Sequence, residues 1–282
     1  MINQTISLPF AYDFDSALVR LARDPINAVN VEEREVLVPM EEGNVIRLKG
    51  TGSTLHPAFE IENVVDDAQM DRLFSIFHFD RPLDEIARHF EKTDLAPIFE
   101  QYAGMPIIKS FSLYGTLVKS IIHQQLNLKF ADVLLMRFVE VYGKNENGVW
   151  RYPKPEEAAM INVEDLRMLQ FSNRKAEYII EISRAIAEGR LELDKFETMD
   201  DEEIISELVA IRGIGPWTAQ SFLLFGLGRA NLFPMADIGL QNALKLHWKM
   251  DRKPTYEEMA ERFPIWSPYL SYASLYLWKS IE

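Results

Sequence analysis

Apolar residues alternate with polar ones in three short segments near the start of the chain. These segments, rich in Val and Ile and separated by the turn-like stretches "EEGN" and "GTGST", are "REVLVPM", "NVIRLKG" and "HPAFEIENV". Half-buried strands show this period of two, and clusters of Gly, Asn and Ser mark the turns between them. The pattern predicts a small antiparallel sheet.

From Asp66 onward the apolar positions recur every three or four residues, as on one face of a helix. The period runs through segments such as "DDAQMDRLFSIFHF", "LKFADVLLMRFVEVYG" and "PYLSYASLYLW". We therefore predict an α+β protein with two domains. An N-terminal α+β domain with the antiparallel sheet spans residues 1–105, and a mostly helical domain spans residues 106–282.

Composition limits the possible chemistry. The 282 residues are 48% hydrophobic and 26% charged, as in globular proteins, and none is cysteine. Disulfides, thiolate zinc sites, a cysteine nucleophile and cysteine-ligated iron–sulfur clusters are thereby excluded. The start of the chain lacks a signal-peptide pattern, and no stretch reaches 18 uninterrupted apolar residues. We expect a soluble cytoplasmic protein without membrane contacts.

The acidic charge is concentrated in the first third of the chain. The net charge is −13, yet residues 101–282 carry only 24 acidic against 21 basic residues. Within residues 208–250, Asp237 is the sole acidic residue, while four basic ones occur: Arg212, Arg229, Lys245 and Lys249. Buried helices also lack acidic residues, but the single sign of the remaining charge favours a surface that tolerates phosphate.

A helix is interrupted and restarted within "LVAIRGIGPWTAQ". Gly213 and Gly215 permit a tight turn, and Pro216 suits the first position of a new helix. The N–H groups at that helix start would form an anion site without lysine. Taken alone, the motif also fits an ordinary corner between two helices.

Asp237 lies 22 residues after Gly215, in "LFPMADIGLQNAL", directly before another predicted helix. By residue type and position it is an N-cap. Its isolation among neighbours without carboxylates also makes it a candidate catalytic group.

The stretch "LVAIRGIGPWTAQSFLLFGLGRANLFPMADIGLQ" resembles the helix-hairpin-helix DNA glycosylase superfamily, and within it the bacterial 3-methyladenine DNA glycosylase II family. The segments "LVKSIIHQQLNLKFADVLLMRFVEVYG", "FSNRKAEYIIEIS" and "PYLSYASLYLW" extend the resemblance from about Phe111 to Trp278. The family also places a β-rich part before this domain.

The resemblance implies that Asp237 is the catalytic carboxylate, which stabilises the oxocarbenium-like sugar or orients the attacking water. It places Trp217 and Trp278 in a pocket for cationic alkylated purines, where stacking and cation–π attraction act together. Both tryptophans would equally suit a core. Ser221 replaces an aromatic residue of the best-known pattern, which indicates a roomier pocket or another base preference. Strand-cutting relatives carry a lysine at the position of Trp217, so we expect no lyase activity.

The resemblance further implies DNA contacts from the backbone at the hairpin and the helix start: Gly213, Ile214, Gly215, Thr218 and Ala219. The residue that fills the gap left by a flipped base falls on Gln125, where the family has leucine, with Leu126 beside it as the other candidate. Lys175 is either a phosphate contact or a plain solvated charge.

The superfamily also holds a monovalent cation on hairpin carbonyls. Here a Na⁺ or K⁺ ion would lie on those of Val209, Ile211 and Ile214, and no organic cofactor is expected.

The function implied is excision of alkylated purines, of the 3-methyladenine and 7-methylguanine type, from duplex DNA. The enzyme would act as a monomer, associated with the nucleoid through DNA, and would flip the base out. Two alternatives stay open: a glycosylase for oxidised or deaminated bases, and a non-catalytic helix-hairpin-helix protein that binds DNA.

Overall fold

A computed structural model describes residues 2–282, except for the side chains of Ile2 and Glu42. Its main sheet has five antiparallel strands in the order β1-β5-β4-β3-β2. These strands are β1 (Ile2–Ser7), β2 (Ala28–Asn30), β3 (Glu35–Pro39), β4 (Val45–Gly50) and β5 (Ala58–Val64). The predicted N-terminal sheet is confirmed. Its outer strands lack a readable apolar alternation, since β2 has three residues and "INQTIS" of β1 is largely polar.

The rest of the chain is mostly helical, as expected. The helices are α1 (Phe14–Leu21), α2 (Asp67–Phe77), α3 (Leu83–Phe90), α4 (Ala96–Gln101), α5 (Leu113–His123), α6 (Leu128–Tyr142), α7 (Pro155–Ala158), α8 (Val163–Met168), α9 (Asn173–Ala187), α10 (Asp201–Ala210), α11 (Pro216–Phe225), α12 (Ile238–His247), α13 (Tyr256–Ala260), α14 (Phe263–Trp266) and α15 (Leu270–Lys279). A small hairpin, β6 (Lys144–Glu146) with β7 (Val149–Arg151), follows α6. Across the described residues, no helix is both long and apolar enough to cross a membrane.

Helix α1 precedes the predicted helical region and lies against the sheet. The Asp13 side chain caps it by accepting a hydrogen bond from the Ser16 N–H (3.0 Å). Its buried face includes Phe14 and Leu18, which join the core of the sheet. This packing directs the last turn of α1, with Arg20, toward the helical part of the molecule.

Two hydrophobic cores hold the molecule together. One lies under the sheet and includes α12 and α15, while the other joins α5, α6, α9 and α11. The Phe99 and Tyr276 rings stack with centroids 3.8 Å apart, and the Tyr276 hydroxyl accepts a hydrogen bond from the Met105 N–H (3.1 Å). The last helix therefore packs with the N-terminal residues across the predicted boundary at 105/106.

Asp94 ties the N-terminal part to the C-terminal helices. Its carboxylate accepts hydrogen bonds from the Trp248 indole N–H (2.8 Å) and from the Trp266 indole N–H (3.0 Å). Trp266 is fully buried. Removal of the carboxylate would leave a buried donor without an acceptor.

We expect Asp94→Ala to lower the free energy of unfolding by about 2–4 kcal/mol, because two indole donors lose a charged acceptor. Urea denaturation monitored by circular dichroism measures this. Asp71→Ala is the matched control, since Asp71 is an exposed acid on α2, and it should change the value by less than about 0.5 kcal/mol. Equal effects of both substitutions would contradict the role of Asp94.

Candidate functional site

The predicted hairpin connects α10 to α11, and its tight turn depends on one glycine. Gly213 has a φ of +98°, in the left-handed region, and a Cβ there would clash with the Tyr178 ring. Gly215 has a φ of −99°, and nothing lies within 4 Å of its Cβ position. The turn thus requires glycine at 213, whereas Gly215 leaves an open surface where a ligand can approach the backbone.

The start of α11 presents backbone N–H groups to that surface. Among residues 2–282, no acceptor pairs with the N–H groups of Gly215, Trp217 and Thr218. Ile214, Thr218 and Ala219 are buried. The N–H groups of Ile214 and Ala219 already donate to the carbonyls of Ile211 (3.1 Å) and Gly215 (3.0 Å), so these two residues do not offer the predicted backbone donors. Because the N-terminal end of a helix carries partial positive charge, this surface fits a phosphate.

Asp237 is the N-cap of α12, and a second hydrogen bond fixes its orientation. Its Oδ1 accepts from the Leu240 N–H (2.8 Å) and from the Trp278 indole N–H (2.9 Å). The residue is half-buried, and Oδ2 has no hydrogen-bond partner in the described part of the chain. One oxygen therefore positions the carboxylate, and the other is free to meet a substrate.

Gly239 allows this contact, although the sequence analysis did not single it out. A Cβ at Gly239 would lie 2.9 Å from Asp237 Oδ1 and 3.2 Å from Trp278 Cδ1. The missing side chain lets the indole reach the first turn of α12. Glycine inside a helix costs about 1 kcal/mol relative to alanine, so its position two residues after Asp237 was a usable signal.

A cleft of about 1270 Å³ opens beside the hairpin and is lined by residues of both parts of the molecule. Trp217, Ser221 and Phe225 line it at four-residue spacing on one face of α11. Trp217 is 46% exposed. Trp278 lines a smaller neighbouring cavity of about 40 Å³ instead, and its ring lies 5.9 Å from that of Phe225. The structure therefore brings Trp217 and Ser221 into one cleft and Trp278 into the neighbouring cavity. Phe225, which the sequence did not indicate as a site residue, contacts Trp278.

The loop between α5 and α6 carries the two candidates for filling the gap of a flipped base. Gln125 is exposed and has a φ of +56°, while Leu126 is half-buried and packs against the helical core. The preceding Gln124 donates a side-chain hydrogen bond to the Gly213 carbonyl (2.8 Å). The loop is thus attached to the hairpin, and Gln125 is the residue that projects from it.

Lys175, for which the sequence left open a phosphate contact or a solvated charge, has other partners in the structure. Its ammonium donates hydrogen bonds to the carbonyls of Ile121 (2.7 Å), Ile122 (2.9 Å) and Gln124 (2.6 Å) at the end of α5. Burial lowers the pKa of Lys175 to about 8. The ammonium therefore satisfies the last carbonyls of α5 and supports the loop that carries Gln125.

The hairpin carbonyls fit the proposed monovalent cation in type. The oxygens of Val209 and Ile214 accept no backbone hydrogen bond in the described chain, and that of Ile211 accepts one from the Ile214 N–H (3.1 Å). Free carbonyl oxygens are hard ligands suited to such ions. Groups of three or more His, Asp or Glu side chains able to hold a metal do not occur among the described residues.

We expect Lys175→Met to lower the free energy of unfolding by about 1–3 kcal/mol, because three carbonyls at the end of α5 lose a charged donor. It should also weaken binding to duplexes with a lesion more than binding to intact duplexes, since the supported loop carries Gln125. Thermal unfolding measures the loss of stability, and fluorescence anisotropy measures the binding of the two kinds of duplex. Arg174→Met, which alters the exposed neighbouring cation, should leave stability unchanged. If Lys175→Met weakens all DNA binding without loss of stability, its main role is a phosphate contact.

Comparisons with known proteins agree with this geometry. The model of the HhH-GPD superfamily of base excision DNA repair proteins matches residues 118–268. The putative DNA-3-methyladenine glycosylase YfjP of Bacillus subtilis (strain 168) is 49% identical over 287 residues, which cover 100% of both proteins.

Solved structures share the fold. The 3-methyladenine DNA glycosylase of Archaeoglobus fulgidus superposes with a TM-score of 0.81 at 22% identity, over 98% of this chain and 97% of that one. The Schizosaccharomyces pombe 3-methyladenine DNA glycosylase in complex with abasic DNA has a TM-score of 0.60 at 26% identity, over 70% and 96% of the two chains. With its hairpin, its capping aspartate and these matches, the chain belongs to the HhH-GPD superfamily of base excision DNA repair proteins, as a DNA glycosylase.

Proposed function

We propose that this DNA glycosylase removes alkylated purines from duplex DNA by hydrolysing the bond between base and sugar. The observation that carries the proposal is the Asp237 carboxylate, which is fixed through Oδ1 and open at Oδ2. The relatives named DNA-3-methyladenine glycosylases support the alkylated class of base.

In the proposed reaction, the bond between C1′ and the base nitrogen breaks, and its electron pair leaves with the base. An alkylated purine already carries a positive charge, so it departs as a neutral base without prior protonation. The ionised Asp237 stabilises the positive charge that develops on the sugar. Water then bonds to C1′ and releases its proton to solvent, which leaves an abasic site and a free base.

The surrounding residues would bind the DNA and hold the base outside the helix. The free N–H groups at the start of α11 bind a backbone phosphate, and Gln125 enters the gap left by the flipped nucleotide. Trp217 offers an exposed aromatic face for stacking. A monovalent cation on the hairpin carbonyls would add positive charge near the phosphate. We also propose that the protein needs no organic cofactor and acts as a monomer. It would be cytoplasmic and associated with the nucleoid through DNA.

We expect Asp237→Asn to reduce excision by about 100-fold or more while DNA binding is retained, because the amide keeps the Oδ1 hydrogen bonds but loses the charge. Single-turnover release of 3-methyladenine, 7-methylguanine, hypoxanthine, uracil and 8-oxoguanine is the measurement. Asp251→Asn, at an exposed acid beyond α12, serves as the control and should excise normally.

This panel also separates the alternatives. Release of only oxidised or deaminated bases would indicate a different glycosylase. A wild-type protein that binds DNA but releases no base, and that Asp237→Asn leaves unchanged, would be a non-catalytic binding protein.

We further expect a monofunctional enzyme, because Trp217 stands where a lysine amine would be needed for a Schiff base. Borohydride added during turnover should trap no covalent complex between enzyme and DNA on a denaturing gel. Abasic sites should appear without strand breaks until alkali is added. A trapped adduct would contradict this expectation, and a strand-cutting glycosylase assayed in parallel verifies the trapping conditions.

A further inference from the structure

Arg20 places a positive charge in the cleft that contains Trp217 and Ser221. It belongs to the last turn of α1, in the N-terminal part, and lines both the large cleft and the neighbouring small cavity. Its guanidinium carbon lies 4.0 Å from the centroid of the Phe225 ring. The guanidinium therefore already occupies the π face that this ring turns toward the N-terminal part.

The guanidinium of Arg20 has donors but no acceptor. In the part of the chain that the structure describes, no hydrogen bond or ion pair engages it, although the Glu282 carboxylate is near enough to favour its charged form. Nearby Arg23, one turn further on, is paired with Glu282 (2.8 Å). Burial, and then Arg23, lower the pKa of Arg20 to about 10, so it remains charged at neutral pH. The guanidinium donors of Arg20 face the cleft and are available to an acceptor that a ligand brings.

Arg20 is connected to the candidate catalytic carboxylate through two aromatic rings. Phe225 contacts the Arg20 guanidinium and lies 5.9 Å from Trp278, whose indole N–H donates to Asp237. Phe225 also shares a helix face with Trp217 and Ser221. Arg20 and Trp278 also line the same small cavity, which places the guanidinium next to the ring that holds Asp237. A base held by Trp217 in the large cleft would share that cleft with the guanidinium.

We propose that Arg20 determines base specificity, so that the pocket prefers purines with a carbonyl oxygen at C6 over adenine-derived purines. This rests on the proposed function and extends its substrates from alkylated purines to a neutral purine that carries O6. The two parallel N–H donors of arginine match the acceptors O6 and N7 of an oxo-purine. The 6-amino group of adenine is itself a donor, so it cannot accept a hydrogen bond from the guanidinium. The guanidinium charge also opposes a cationic base. Hypoxanthine, which is neutral and has both acceptors, fits best, followed by 7-methylguanine, which keeps O6, and then 3-methyladenine.

The first experiment measures release rates from duplexes with hypoxanthine and from methylated DNA, with liberated bases quantified by chromatography. In wild type, the rate of hypoxanthine release divided by its rate without enzyme should exceed the same quotient for 3-methyladenine. Arg20→Met, which removes the donors but keeps the stem, should shift the ratio of hypoxanthine to 3-methyladenine release by about 10-fold or more toward 3-methyladenine. Arg20→Lys, which keeps the charge but not the fork, should shift it less.

Arg23→Met is the matched control, since Arg23 lines the same cavities but is paired. It should leave the ratio unchanged. An unchanged ratio in Arg20→Met would overturn the proposal. So would an equal loss for all bases together with weaker binding of intact duplex, because that result identifies a phosphate contact.

A second measurement does not depend on catalysis. Binding of free hypoxanthine and free adenine, followed by tryptophan fluorescence, should favour hypoxanthine by about 10-fold in wild type, with the preference lost in Arg20→Met. If wild type excises bases and Asp237→Asn does not, yet neither ratio depends on Arg20, only this inference fails. If no base is released but free hypoxanthine is preferred through Arg20, the proposed function fails while the selectivity of the pocket stands.

Discussion

The hydrogen bond from the Trp278 indole to Asp237 Oδ1 organises the site. It joins the last helix of the chain to the start of α12, and Gly239 permits it because a side chain there would occupy the same space. A carboxylate held only as an N-cap could rotate about its χ angles, whereas two donors on one oxygen define both its position and its direction. The same arrangement leaves Oδ2 free and places the Trp278 ring beside that of Phe225, with the centroids 5.9 Å apart.

An acidic protein that acts on DNA must bring the phosphate to atoms whose positive charge does not depend on side chains. The hairpin offers such atoms in the backbone N–H groups at the start of α11, next to a turn that requires glycine at position 213. Most of the carboxylates lie in the first hundred residues, and residues 208–250 carry one. The separation of charge along the chain reduces repulsion of DNA where the backbone donors lie.

The sequence predicted the elements whose signals are local. The interrupted helix before Trp217 and the lone Asp237 before a helix are patterns of adjacent residues, and the structure places both at helix starts. The sequence alone did not indicate that Lys175 contacts carbonyls more than fifty residues earlier in the chain. Nor did it indicate that α1 brings Arg20 to Phe225. Such contacts depend on how the two cores pack, and no period within a helix or strand records them. The same limit applies to Trp217 and Trp278. The resemblance placed both in one pocket, whereas in the structure they line different cavities.

The core beneath the sheet contains both ends of the chain, since α15 packs with residues of the first hundred. A fragment cut at residue 105 would expose the apolar face of the final helix and release the tryptophan that aligns Asp237. The N-terminal sheet and the helices around Asp237 are therefore parts of one folded unit. The last helix packs on the same core as the strands, so a substitution in the sheet can displace Trp278 and with it the Asp237 carboxylate, although the strands are distant in sequence from both.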